Sequence, residues 1–440
     1  MADVWSTATI DQWATHAREA AWLTALRRAA LARHAELPWP HPSDDIWRRS
    51  DVTLLDPARG FSPIRQELLQ AISLTESQFA NLTQPLGGEQ LLVRANGSWL
   101  TEPQASPIRV ESIAQAGGAF DAVRQAIEAD GLTPAEQKLT SLNTAFHQDG
   151  LVVHIPEGFT GERPIRLVHL LPVGAQQAAF PLTVIHIGAG STVTLIDEYV
   201  SLGEGGPHLV NGRIELVVGP NATVHYVRLQ RLAPQAREFL LQRATLADGA
   251  SATLANINLG AAFSKAHIVT KLAGAGASSR IYGFVFGRGG QHIDQHTLQD
   301  HQAPRTTSDL HYKAALQGTS RMIYTGLIRI AKEAVRTEAF QANHNLLLDE
   351  GAQAETIPML EILADDVQCK HGASIGPIDD EQAFYLMSRG VPREAAERLI
   401  VMGFVEPMVQ QVPFEPLQQQ LREEIESGLR QSETRDLGHG

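Results

Sequence analysis

The most constraining feature of this sequence is the stretch 151–376, in which short β-branched runs alternate with glycine turns. The run 184–187 ends at Gly188, for example, and another run, 192–195, begins just after Gly190. These turns carry glycine at positions 190, 219, 249, 276, 318 and 351. A repeat of strand, glycine turn and strand is typical of a stacked solenoid, so it predicts a β-helix. A sandwich or barrel of hairpins gives a similar pattern, and the repeat alone leaves both open.

Helical patterns precede this stretch. Apolar residues fall at helical spacing over residues 7–36, and a second helix is predicted over 61–82. The segment 133–136 is a capping box with proline at its first helical position, which predicts a helix that runs to about Phe146. Short strands are expected near Leu91–Val93. The first 150 residues should therefore be mainly helical.

The helical pattern returns after the glycine-rich stretch. Asp379 offers an N-cap for a helix that Gly390 ends as its C′ residue. Pro392 is predicted to begin a second helix that ends at Gly403, and residues 415–427 are predicted to form a third.

These patterns divide the chain into three regions. The predicted fold class is mainly β, with a parallel β-helix core between helical regions. The predicted boundaries are 1–150 for the N-terminal region, 151–376 for the β-helix and 377–440 for the C-terminal helical region. A chain of 440 residues is long enough for such units and for a large core.

The C-terminal helices carry more apolar residues than a short pair of surface helices requires. The residues concerned are Phe384, Leu399, Met402 and Phe404. Burial against the β domain explains them, and so does a docking surface for a helix or groove of a partner. The residues alone leave both explanations open.

Composition excludes several classes of function. The formal net charge of −13 argues against a broad nucleic-acid-binding surface. The single cysteine excludes an internal disulfide and an iron–sulfur cluster held by four cysteines of this chain alone, and it favours a reducing compartment. There is no apolar run long enough to span a bilayer, and the acidic N-terminus does not fit a secretory signal. The expected location is the cytoplasm, without membrane association.

The single cysteine, Cys369, has His371 two residues after it. In an extended segment this spacing places both side chains on one face of the strand. A thiolate and an imidazole can ligate a soft or borderline metal, but two ligands do not complete a site. The others would come from elsewhere in the chain or from a partner. The alternative is a small buried thiol beside a structural histidine.

A second group of histidines follows Gly287 and comprises His292, His296, His301 and His311. Their spacings match no closed zinc signature, and on strands their side chains would face different sides. Solvated histidines in turns are therefore expected here rather than a metal site.

Residues 365–376, Asp-Asp-Val-Gln-Cys-Lys-His-Gly-Ala-Ser-Ile-Gly, resemble the signature of SufD proteins of the Suf iron–sulfur assembly system. Further matches lie at 291–297, 345–348, 358–362, 384–391 and 403–404. The likeness is strongest over residues 280–410. The nearest alternative is the sister subunit SufB, whose chains usually carry several cysteines and Glu-His-Glu in place of Cys369-Lys370-His371.

The resemblance implies a right-handed parallel β-helix between helical terminal regions. It also implies a scaffold subunit without turnover of its own, which pairs with SufB and binds the ATPase SufC through the helices at about 379–410. A nascent iron–sulfur cluster would be built at the SufB–SufD interface, with His371 and, less strongly, Cys369 as candidate ligands. This chain alone would bind no cofactor tightly, and a homodimer of the isolated chain is compatible with this role.

We therefore predict that the chain is not an enzyme. There is no G-x-S-x-G elbow, no H-E-x-x-H and no C-x-x-C, so an ordinary hydrolase or transferase is not supported. The alternative from a different class is a carbohydrate-active β-helix lyase or hydrolase. Such an enzyme would require carboxylates clustered in one groove, and the tight acidic group of this chain is Glu361, Asp365 and Asp366.

Overall fold

The predicted parallel β-helix with helices at both ends is confirmed. A computed structural model describes residues 4–64, 84–95, 98–101, 107–114, 124–127, 132–148, 150–172, 174–202 and 206–436. The helices are α1 (Thr7–Ala17), α2 (Ala21–Glu36), α3 (Pro134–Phe146), α4 (Asp380–Met387), α5 (Arg393–Val409) and α6 (Glu415–Asp436), with a 3₁₀ helix at Val52–Leu55. None of these helices combines the length and the apolar character that a bilayer crossing requires.

The strands follow one another along almost the whole middle of the chain. Four short strands come first: β1 (Ser62–Pro63), β2 (Gln90–Ala95), β3 (Ser98–Trp99) and β4 (Arg109–Ser112). The core strands are β5 (Leu151–Ile155), β6 (Ile165–Pro172), β7 (Gln177–Ala179), β8 (Leu182–Ile187), β9 (Thr192–Leu202), β10 (His208–Val218), β11 (Thr223–Arg231), β12 (Ala236–Leu246), β13 (Ser251–Asn258), β14 (Phe263–Leu272), β15 (Ser278–Gly287), β16 (His292–His301), β17 (Thr307–Leu316), β18 (Arg321–Ile330), β19 (Thr337–Leu347), β20 (Gln353–Ile362) and β21 (Val367–Pro377).

These strands form two sheets. Sheet A contains β4, β5, the even-numbered strands β8 to β20 and the short strands β1 and β7, of which β7 pairs with β10. Sheet B contains β3, β2, β6 and the odd-numbered strands β9 to β21. From β8 and β9 onward the chain crosses from one sheet to the other at each turn, and every neighbouring pair within a sheet is parallel. Among the described strands, only the pairs β2–β3 and β4–β5 are antiparallel, so the hairpin alternative is wrong.

The two sheets face each other across an interior that we call the lumen. Ser251 pairs with Ser278, and Ser278 pairs with Thr307, so one coil takes 27 or 29 residues there. Lumen side chains from both sheets form the largest apolar cluster, which includes Leu216, Ile268, Tyr226 and Leu254. Both faces of most core strands are covered, which explains their nearly continuous apolar runs.

Helices cover the outer face of each sheet. On sheet A, Phe239 and Leu241 pack with Trp47 and Phe146 of the N-terminal region. On sheet B, Val227, Ile257 and Phe284 pack with Val401, Val405 and Leu421 of the C-terminal helices. The outer faces are therefore apolar where a helix lies on them.

Four of the six predicted turn glycines adopt the left-handed conformation, and Gly219 and Gly351 do not. Gly190, Gly249, Gly276 and Gly318 have positive φ, as tight turns between the sheets require. In the turn 219–221 the left-handed conformation is taken by Asn221, with φ of 54°, and not by glycine. Asparagine tolerates this region better than most residues. Gly219 is required for a different reason, since a Cβ atom there would lie 2.8 Å from the backbone oxygen of Ile187.

The N-terminal region departs from its prediction in two places. The single helix predicted over 7–36 is wrong, because Arg18 adopts φ of 51° and separates α1 from α2. Of the helix predicted over 61–82, residues 65–82 lie outside the described residues, and β1, at Ser62–Pro63, is extended. The capping box at Thr133 and the helix end at Phe146 are confirmed, as is the strand at Leu91–Val93 within β2.

The C-terminal helices begin close to the predicted positions but end at other residues. Asp379 caps α4 by accepting from the backbone N–H groups of Glu381 and Gln382. The prediction of Gly390 as the C′ residue is wrong, because α4 ends at Met387 with Ser388 as its C-cap, and Gly390, with φ of 88°, lies one position beyond C′. The predicted helix end at Gly403 is wrong, since α5 continues to Val409 with Pro407 inside it. Val401, Val405, Met408 and Val409 pack on sheet B, and this packing outweighs the weak helix propensity of glycine. The third helix, predicted to end near residue 427, continues to Asp436.

We expect Gly283→Ala to lower the free energy of unfolding by about 1–3 kcal/mol, because a methyl group there overpacks the lumen. A Cβ atom at Gly283 would lie 2.1 Å from the ring of Tyr312, which is fully buried. Urea unfolding measures the change. The control is Gly403→Ala, since a Cβ atom there meets no atom within 4 Å, and it should be neutral or stabilising by up to about 1 kcal/mol. Equal stability of the two variants would contradict this packing.

Candidate functional site

The solenoid ends at two strands that no further strand covers. In the described parts of the chain, β20 is the last strand of sheet A and β21 the last strand of sheet B. Each therefore carries one edge of unpaired backbone groups, which natural proteins usually cover or protect. Four large apolar side chains are exposed at this end, namely Leu360, Ile362, Leu363 and Ile375. We call this surface, formed by β20, β21 and the connection between them, the open end.

Cys369 and His371 both lie on β21 and share one face, as their spacing predicted. Their register partners on β19 are Ala339 and Gln341. Gln341 reaches across the lumen to donate to the backbone carbonyl oxygen of Gly326 in sheet A. The face that carries Cys369 and His371 therefore continues the lumen wall to the open end.

The two side chains differ in exposure. Cys369 is half-buried and packs against a cluster that includes Ile328, Ile330 and Ala339, whereas His371 is exposed. Burial raises the pKa of the Cys369 thiol, although a hydrogen bond with the backbone of Ala339 partly offsets this effect. The thiol is therefore protonated at neutral pH and is a poor ligand until a metal displaces its proton.

Cys369 and His371 do not form a complete metal site within the described chain. No third histidine, cysteine or carboxylate of the described residues clusters with them. A tetrahedral site requires four ligands, so an ion held here would take the others from a second molecule.

Two carboxylates of the acidic group near the open end form ion pairs. Glu361 accepts from Arg329 at 3.0 Å, and Asp366 lies 3.7 Å from Arg336. Both pairs are exposed. A glycosidase requires two carboxylates that flank the scissile bond, whereas Glu361 and Asp366 each face an arginine.

The structure divides the four apolar residues of the C-terminal helices into two pairs. Phe384 on α4 and Leu399 on α5 are 70% and 56% exposed. Met402 and Phe404 instead pack partly against the cluster on sheet B. The Lys313 ammonium lies 4.6 Å from the centroid of the Phe404 ring and donates to its carbonyl oxygen. A docking surface is thus available at Phe384 and Leu399, where α4 packs on α5.

The four histidines after Gly287 are not solvated turn residues, so that expectation is wrong. His292, His296 and His301 lie on β16, and His311 lies on β17. His301 is buried in the lumen between Thr306 and Ser308, and its burial lowers its pKa to about 4. His296 is buried on the opposite face of β16, so the expectation that the faces would differ is confirmed. The turn lies earlier, at Arg288 to Gln291.

Two family models match this chain. The SufBD core domain of SUF system FeS cluster assembly matches residues 170–404, which is more than half of the chain. The N-terminal region of SufBD proteins matches residues 107–167.

Curated relatives agree with this match. The iron–sulfur cluster assembly protein SufD of Escherichia coli is 30% identical over 59% of this chain and 63% of its own length. SufD of Bacillus subtilis is 27% identical over 93% of this chain and 94% of its own length. SufB of Bacillus subtilis is 25% identical over 64% of this chain and 61% of its own length.

Proposed function

The chain belongs to the SufBD family of SUF-system iron–sulfur cluster assembly proteins, and from this premise we propose that it is a non-catalytic scaffold subunit. In this role it pairs with a SufB-type subunit through the open end and binds the ATPase SufC through α4 and α5. The cluster is built at the SufB–SufD interface and is cargo, not a resident cofactor of this chain. We propose that this cluster assembly takes place in the cytoplasm.

The observation that carries the proposal is the open end itself. Two terminal strands present unpaired backbone edges and exposed apolar side chains, with Leu363 at 62% and Ile375 at 43% exposure. A second β-helix could continue both sheets across this surface by strand addition. Burial of these side chains would supply the apolar core of the interface.

The same surface positions a histidine for a shared site. His371 is exposed at the lumen mouth, so a subunit seated on the open end would cover it. A neutral imidazole is a good ligand for iron. We propose His371 as a ligand from this chain, with SufB supplying thiolate or carboxylate ligands. Cys369 has the lesser role because its thiol is half-buried and protonated.

Co-expression of the chain with tagged SufB and with SufC tests this proposal. We expect Leu363→Asp combined with Ile375→Asp to abolish co-purification with SufB, because two carboxylates would be desolvated at the interface. Each side chain is exposed, so the isolated chain should keep its melting temperature.

The matched control is Leu100→Asp, which changes an apolar residue of similar exposure outside the open end. It should co-purify with SufB as the wild type does. If the double variant still binds SufB, the open end is not the SufB surface. If the isolated chain is a homodimer and the double variant makes it monomeric without affecting SufB binding, a second copy occupies the open end.

A further inference from the structure

A buried group of three metal-ligating side chains lies outside the open end. His267 on β14 and His296 on β16 are register partners on the outer face of sheet A, and Glu136 lies in the first turn of α3 above them. One ligand atom from each residue lies within 4.8 Å of the other two. Glu136 is 4% exposed, His267 0% and His296 8%.

Hydrogen bonds orient two of these side chains. Thr133 donates its backbone N–H and its hydroxyl to Oε2 of Glu136, both at 2.7 Å. The other oxygen, Oε1, lies 2.8 Å from Nδ1 of His267. The capping box that begins α3 therefore holds Oε1 of Glu136 against Nδ1 of His267, and a metal ion bound between these two atoms would take the place of the proton of this hydrogen bond.

Two imidazole nitrogen atoms of this group are buried without hydrogen-bond partners. They are Nε2 of His267 and Nδ1 of His296. A buried polar atom without a partner costs about 1–3 kcal/mol, so such atoms in a native structure require an explanation. An ion bound beside Oε1 of Glu136 and Nδ1 of His267 would give Nδ1 of His296 a partner for its lone pair.

The charges of the group suit a cation. Glu136 supplies a carboxylate, and the two histidines supply imidazole nitrogens, which bind a metal in their neutral form. The nearby Lys265 ammonium is neutralised by Asp294 at 2.6 Å.

We infer that Glu136, His267 and His296 form a binding site for one divalent transition-metal ion of zinc-like chemistry. Two imidazoles and one carboxylate are a ligand set that zinc uses in proteins, with water in the fourth position. The ion would join α3 to two strands of sheet A. This site is separate from the open end, because it lies on β14 and β16 and the strand β18 separates β16 from the terminal strand β20.

Calorimetric titration of the EDTA-treated full-length chain with Zn²⁺ tests the inference. We expect one tight site per chain, and a Kd at least about tenfold weaker in His267→Gln and in His296→Gln. Zn²⁺ should also raise the melting temperature of the wild type but not of these variants. Co²⁺ bound to the wild type should give the visible absorption of a tetrahedral nitrogen and oxygen site.

The matched control is His292→Gln, which changes a half-buried histidine of the same strand outside the group and should bind Zn²⁺ like the wild type. Binding that is unchanged in His267→Gln and His296→Gln would overturn the inference, since other histidines would then hold the ion. Absence of tight Zn²⁺ binding and of the Co²⁺ absorption in the wild type would also overturn it, whether or not the variants fold.

Discussion

Phe384→Asp combined with Leu399→Asp is expected to abolish co-purification of this chain with SufC while leaving its melting temperature within a few degrees of the wild type. Phe384 and Leu399 are 70% and 56% exposed, and neither belongs to a buried apolar cluster among the described residues. Removal of one interface hot spot costs about 2 kcal/mol or more, so loss of two anchors reduces affinity at least several hundredfold. Pull-down with tagged SufC and thermal unfolding of the isolated chain measure the two effects.

Phe404→Ala is the matched control for this result. Its ring packs on sheet B beneath the Lys313 ammonium, so truncation should destabilise the chain, by about 2–4 kcal/mol. Because Phe404 packs with the cluster on sheet B, to which neither Phe384 nor Leu399 belongs, the variant that remains folded should still bind SufC. SufC binding by the Phe384 and Leu399 double variant would exclude the surface of α4 and α5 as the docking site. A large loss of melting temperature in that double variant would show that these residues are core.

The sequence did not predict that Leu399 is exposed while Phe404 packs against sheet B. Both residues lie on α5, and composition indicated only that this helix has more apolar residues than it needs. Which of them faces sheet B depends on how α5 is seated against Val227, Ile257 and Phe284, far earlier in the chain. The local sequence does not determine how α5 is oriented on sheet B. The sequence alone therefore could not decide whether these apolar residues are buried or form a docking surface.

The β-helix was predictable because its signal repeats. Each coil must turn twice and bury apolar residues toward the lumen, and the glycine pattern records the turns. Cys369 and His371 were placed on one face correctly, since alternation along a strand is a local property. The sequence did not show that this face lines the lumen at an open end, because that depends on which coil of the β-helix is the last.

The buried metal-ligating group was missed because its members are remote in sequence. Local spacing after Gly287 suggested solvated histidines, yet His296 lies beside His267 in the next coil. The two histidines are 29 residues apart, which is the length of one coil. The repeat length could therefore have predicted that they lie side by side on neighbouring strands. Glu136 comes from a helix outside the repeat, and nothing in the sequence connects it to either histidine.

His371→Ala is expected to lower the iron–sulfur cluster content of the assembled complex with SufB and SufC by about tenfold or more. Loss of groups that hold or orient a metal ligand typically costs 10–100-fold in metal affinity, and a direct ligand should cost at least as much. The side chain is exposed and no described group clusters with it, so folding and complex formation should be unaffected. Iron and sulfide analysis after anaerobic reconstitution, on complexes matched for subunit ratio, measures the effect.

Two variants make the His371 result specific. His344→Ala removes a histidine from the neighbouring strand β19, where it bonds Ser374 at 2.7 Å, and it should leave cluster content unchanged. Cys369→Ala should have a smaller effect than His371→Ala, because the half-buried thiol packs with Ile328 and Ala339. Normal cluster assembly in His371→Ala would contradict the ligand role. If Cys369→Ala alone removed the cluster, the thiol and not the imidazole would be the ligand that this chain contributes. Burial makes the Cys369 thiol harder to ionise, but a bound metal can displace its proton.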